Sequence, residues 1–156
     1  MMTAYDLAQR FVGELHELKG AGKDEPFIQW CFTRCGYGPD TTDEVPWCSA
    51  FANAICWMLR LPRSKSAAAR SWLTVGLAVT LDAATPGYDV VILKRAGSDA
   101  GPEVLHAAGH VGFFSGLTSD RAKVIVLGGN QSDGVSLESF PVSQVLGVRR
   151  VKPLLA

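Results

Sequence analysis

The hydrophobic period of the chain changes once, near Gly76, and that change restricts the fold more than any other feature. Before it, apolar residues recur at helical spacing. Thr3 and Asp6 read as a capping box with Asp in place of Glu, and Leu7, Phe11, Leu15 and Leu18 follow at helical intervals until Gly20 and Gly22. In "EPFIQWCFTRCGYG", Glu25 and Pro26 suit a helix start, Ile28, Cys31, Phe32 and Cys35 give an apolar face, and Gly36 ends it. A third helix is predicted from about Pro46 to Arg60, halting before Pro62, and a short fourth over "SAAARSWLTVG". After Gly76 the runs "YDVVILKR", "HVGFFSG", "AKVIVLGG", "VSLESF" and "QVLGVRRV" are short, β-branched and bounded by Gly, Pro, Ser and Asp. Helices followed by strands define the α+β class, here with N-terminal helices and a C-terminal five-stranded, meandering antiparallel sheet. "AGSDAGPEVLHAAG" reads as a Gly-rich surface loop before the second strand. A single domain, 1–156, is expected.

Composition narrows the function classes. The chain is 47% apolar and 19% charged, which excludes a disordered segment. Fifteen acids balance fifteen bases, so net charge gives no reason to expect nucleic acid or an anionic membrane as partner. No apolar run approaches the ~20 residues of a membrane span. "MMTAYDLAQRFVGELHELKG" lacks the basic start, apolar block and cleavage site of a signal peptide, so synthesis in the cytoplasm is expected. Reduced thiols are then expected for Cys31, Cys35, Cys48 and Cys56, whose spacings fit neither a C-x-x-C redox motif nor a zinc ribbon.

One thiol stands apart. If Pro46 is the first residue of the third helix, Cys48 is the third, among N–H groups that have no internal partner and at the positive end of the helix dipole. That setting favours thiolate, and the same N–H groups suit an oxyanion. Cys48, Ala52, Ile55 and Leu59 share a stripe that Phe51, Ala54 and Met58 widen, so the helix should be central. The alternative is a packed core cysteine.

A cysteine nucleophile needs a base and a group to orient it. His16 lies between charged residues on the first helix and reads as solvated. His106 sits in the Gly-rich loop. His106 and His110 have H-x-x-x-H spacing, but Gly109 and the β-run that follows argue against a zinc-binding helix. His110 opens the strand "HVGFF"; alternation puts Gly112 on its face, leaving space for a substrate or for the Cys48 helix. A strand-end histidine bonded to a loop carbonyl is the alternative. In "VIVLGGNQSD", Asn130 follows paired glycines and is placed to fix the imidazole tautomer. An Asn in a positive-φ turn is its alternative, and Gln131 and Asp133 are rivals for the role.

The segments "VPWCSAFANAICW", "ARSWL", "PGYDVVIL", "GHVGFF", "VLGGNQSDGVSL" and "VLGVRR" together resemble the papain-like NlpC and CHAP (cysteine, histidine-dependent amidohydrolase/peptidase) superfamily. Within it they are similar to a small bacterial and phage branch with W-C-[SA]-x-F, G-H-V-G and G-G-N-Q motifs, over roughly Lys19 to Arg150. The resemblance implies a papain-like fold, with the nucleophile helix packed on the antiparallel sheet. It carries Cys48 over as nucleophile, His110 as general base and acid, and Asn130 as orienter. Trp47, Ser49 and Trp72 are read as cleft-lining, with packing in the core as the alternative. The implied activity is cleavage of amide bonds in bacterial peptidoglycan, as a stem-peptide endopeptidase or an N-acetylmuramoyl-L-alanine amidase, with no cofactor and no metal.

The implied settings are a phage lysin released by a holin, or a secreted antibacterial effector with an immunity protein. A monomer acting on the cell wall is expected. Trp47 stands where many relatives carry Asp, and Tyr88 intervenes between Pro-Gly and Asp89. Asp89 is read as structural, holding a loop N–H. No wall-binding repeat is recognised. Two other readings stay open: a binding module on the same scaffold that does not cleave, and a thiol deamidase or transferase acting on another amide.

Overall fold

A computed structural model describes residues 1–153. Positions 154–156 of the expected domain lie outside the described residues. Thr3 Oγ1 accepts from the Asp6 N–H at 3.1 Å, and the Asp6 carboxylate accepts from the Thr3 N–H at 2.9 Å. The predicted capping box therefore starts helix α1, Ala4–Gln9. This helix is shorter than its periodicity predicts. Gly13 turns the chain at φ 76°, and the next residues pair with the sheet instead. Val135 N–H donates to Leu15 O at 2.9 Å, and Glu17 N–H donates to Asp133 O at 2.7 Å. Tertiary pairing here overrides local spacing, although Leu15 still buries its side chain.

Helix α2 spans Pro26–Thr33, and Glu25 caps it by accepting from the Ile28 N–H at 2.9 Å. Helix α3, Cys48–Met58, starts two residues later than predicted, with Trp47 as a cap that offers no side-chain acceptor. It closes where Arg60 takes φ 56° and the Leu61 N–H donates back to Cys56 O at 2.9 Å. The predicted fourth helix is a 3₁₀ segment, Ala69–Thr74.

The sheet is antiparallel and has six strands, not five. They are β1 (Leu77–Val79), β2 (Asp89–Lys94), β3 (Gly109–Leu117), β4 (Lys123–Gln131), β5 (Gly134–Pro141) and β6 (Val145–Arg150). The additional strand, β1, is three residues long with Leu77 and Ala78 exposed, so it carries no hydrophobic alternation to read. The spatial order is β1-β6-β2-β3-β4-β5. Strands β2 to β5 form the predicted meander, while β6 returns to lie between β1 and β2.

Both faces of the sheet are apolar. Val90, Ile92, Val111, Phe113 and Leu127 join the side packed against the helices, and Val91, Leu93, Phe114, Val124 and Val126 form a second cluster on the other. Helix α3 lies on β3 and β4, with α2 against it. Nine of its residues, Cys48 through Cys56, are buried. Each large apolar side chain buried in this way contributes roughly 1.5–3 kcal/mol, so the helix is held rigidly against the strands. Asp89 is buried at the start of β2. It accepts from the Thr85 N–H at 2.8 Å and from Arg150 at 2.7 Å through both Nε and Nη2. It therefore ties β2 to a loop and to β6. No helix among the described residues is long and apolar enough to cross a membrane.

Candidate active site

Cys48 is the first residue of α3 and is 3% exposed. Its side chain interacts with that of His110, which lies near the start of β3. Burial pushes the thiol up. The polar interaction with His110 and its charge, with the N–H groups of Val111 and Ser49, more than offset it and leave Cys48 below its ordinary value of 9.0. The other cysteines move the opposite way. Burial raises Cys31, takes Cys35 up to about 11 and takes Cys56 up to about 12.

His110 shows the complementary balance. Burial alone depresses an imidazolium, but the interaction with Cys48 and its charge, and a bond from Gln131, raise it above 6.5, against the opposing charge of Arg95. A thiol drawn down and an imidazole drawn up, each by the other, favour a thiolate–imidazolium pair.

Gln131, not Asn130, stands behind the ring. Its Oε1 lies 2.8 Å from His110 Nε2. Its Nε2 donates to Ser136 O at 2.8 Å and Val126 O at 3.2 Å. Because two carbonyls accept from the amide nitrogen, the amide oxygen must face the imidazole. His110 Nε2 then carries the proton, and Nδ1 is the nitrogen left for the thiol. The expectation for Asn130 fails on backbone geometry. Asn130 takes φ 57° within a register shift between Gly128 and Gln131, and this bulge brings the next side chain onto His110. Asn tolerates that conformation, which was the alternative reading of it. Gly128 completes the arrangement: a Cβ there would meet Gln131 Oε1 at 2.6 Å and His110 Nε2 at 3.4 Å. Asp133, the other rival, passes its backbone carbonyl to Glu17.

The three residues expected to line the cleft are buried. Trp47 packs where Gly129 has no side chain, since a Cβ there would come within 2.6 Å of its ring, and its Nε1 donates to Glu17 at 2.7 Å. Ser49 Oγ donates to Ser66 O at 2.6 Å and accepts from Trp72 Nε1 at 2.9 Å. Asn53 joins them, donating to Ser66 O at 3.1 Å and accepting from the Lys65 N–H at 2.7 Å. Ser49 and Trp72 thus brace α3 against the chain that follows it. The space beside Gly112 is also filled: a Cβ would meet Val126 Cγ1 at 2.4 Å and Leu127 O at 2.9 Å, so this glycine admits β4.

Two cavities flank the pair. One, of about 200 Å³, is lined by Cys48, Pro46, Ala67–Ala69, Arg95 and the segment His106–Gly109. The other, of about 530 Å³, opens beside His110 and Gln131 and includes Lys94, Arg95, Asn130, Glu138 and Phe140. His106 therefore borders the thiol side as an exposed loop residue. His16 is exposed, as expected.

Sequence reasoning overlooked Arg70. It is fully buried, and its guanidinium donates to Ala108 O at 3.1 Å, Ala100 O at 3.1 Å and Gly101 O at 2.7 Å. It pins the Gly-rich loop that walls the smaller cavity. A lone Arg in the apolar "ARSWL" was the available signal. No protein-family model matches the chain, and no curated protein matches it.

Proposed function

We propose that the chain is a papain-like cysteine hydrolase of the NlpC/CHAP kind that cleaves amide bonds of bacterial peptidoglycan, as a stem-peptide endopeptidase or an N-acetylmuramoyl-L-alanine amidase. One observation carries the chemical part: Cys48, His110 and Gln131 stand in series, with the only thiol of the four that is drawn down. The peptidoglycan part rests on the motif resemblance.

Cys48 thiolate attacks the amide carbonyl, and the N–H groups at the start of α3 receive the oxyanion. His110, protonated at Nδ1, gives that proton to the leaving amine as the carbon–nitrogen bond breaks and a thioester remains. The imidazole then takes a proton from water, which attacks the thioester and returns the thiol. Gln131 keeps the ring in one orientation throughout.

Such an enzyme would reach the wall as a phage lysin or as a secreted effector with an immunity partner. Cys48→Ala should cut turbidity loss of purified peptidoglycan by more than about 10³-fold with unchanged circular dichroism. Full lytic activity in that variant would remove the assignment. Mass spectrometry of digested muropeptides names the bond and separates hydrolysis from deamidation or transfer. The 3% exposure of Cys48 favours a second reading, a peptide-binding module that does not cleave. Uniformly slow alkylation of all the cysteines would support it.

A further inference from the structure

We propose that Arg95 is a specificity-determining residue that reads a free carboxylate on the acyl residue of the substrate. Arg95 is the one residue common to the cavity beside Cys48 and the cavity beside His110 and Gln131, and its charge acts on His110. The smaller cavity otherwise presents alanines, Gly109, Pro46, Cys48 and His106. That wall is narrow and carries basic side chains but no acid, and it gives a ligand little to hold except a cation.

The charge is available. Arg95 is exposed, and among the described residues the ion pairs are Arg121 with Asp82 and Arg150 with Asp89, neither involving Arg95. It is also held in place: it directly follows β2, whose residues from Asp89 to Leu93 are buried, and its carbonyl accepts from the Ser98 N–H at 3.0 Å in a turn. A carboxylate bound here would do more than anchor. The Arg95 charge opposes the imidazolium of His110, so neutralising it would strengthen the ion pair when a substrate of the right charge is present.

The inference rests on Cys48 being a reactive thiolate but not on peptidoglycan being the substrate, and the test is chosen accordingly. Iodoacetate and iodoacetamide alkylate a thiolate by the same displacement of iodide and differ in charge. Cys48 is alkylated with each, its modification followed by peptide mass spectrometry, in wild type, Arg95→Gln and Arg95→Lys. The ratio of the two rates cancels any change in thiolate content. Arg95→Gln should lower the iodoacetate-to-iodoacetamide ratio by at least about threefold, Arg95→Lys should retain most of it, and added salt should compress the difference. A smaller fall in Arg95→Gln overturns the proposal while leaving the catalytic reading intact. A Cys48 inert to both reagents overturns both.

Discussion

Burial alone would make Cys48 a weakly acidic thiol like Cys56, and the imidazole beside it reverses that. The reversal is testable at single residues. With iodoacetamide near neutral pH, Cys48 should be alkylated well ahead of Cys31, Cys35 and Cys56, as peptide mapping would report. The proposed activity needs the thiolate–imidazolium pair. It should therefore fall on the acid side as Cys48 gains a proton at a pH below 9.0, and on the alkaline side as His110 loses one above 6.5. In Cys48→Ala the interactions raising His110 are reduced while burial still lowers it, so its NMR titration should move below that of wild type.

Gln131→Ala should reduce kcat by roughly 10²-fold with little change in KM, since ring orientation is lost but the cavities remain. Asn130→Gly should leave kcat within about threefold, because glycine adopts the same positive φ. Asn130 was the residue expected in this role from sequence. Its replacement by Gln131 follows from a bulge, and a bulge moves a side chain without leaving a mark in hydrophobic alternation.

Paired glycines at the end of β4 separate two functions that sequence could only group together. Gly129 lies against the Trp47 ring and Phe51 Cβ, at 2.6 and 2.9 Å from an added methyl, so Gly129→Ala should destabilise the fold by about 1–3 kcal/mol, seen as a lower Tm. Gly128→Ala would press instead on the Gln131 amide, so its expected loss is in kcat. Elements with strong local signals were legible: the capping box, the Glu25 cap, the central α3 and the β-branched runs of β2 to β6. Elements set by distant partners were not. The stretch after α1 keeps helical spacing yet pairs with Gly134 and Val135, and β1 exists only because β6 supplies its hydrogen bonds. The site followed the same division. The positions of Cys48 at a helix start and His110 at a strand start were readable, whereas the burial of Trp47, Ser49 and Trp72 depended on neighbours from other parts of the chain.

At the scale of the molecule, Arg70 links the short 3₁₀ segment to the loop that closes the thiol side. Arg70→Met should free that loop. It would leave the carbonyls of Ala100, Gly101 and Ala108 without their shared donor, at a cost of about 1–3 kcal/mol, and limited proteolysis should then cut between residues 98 and 108 where the wild type resists. The sheet order has a consequence of another kind. Strand β6 comes later in the chain than both strands it joins, yet it is inserted between them, Val148 facing Val79 on one side and Val91 on the other. A nascent chain that has emerged only through β5 therefore has an open row of backbone donors and acceptors along β2, over apolar side chains, and nothing yet to fill it. Such an intermediate invites pairing with a neighbouring copy, so ribosome stalling or truncation ahead of Val145 should give aggregated product rather than a smaller soluble chain.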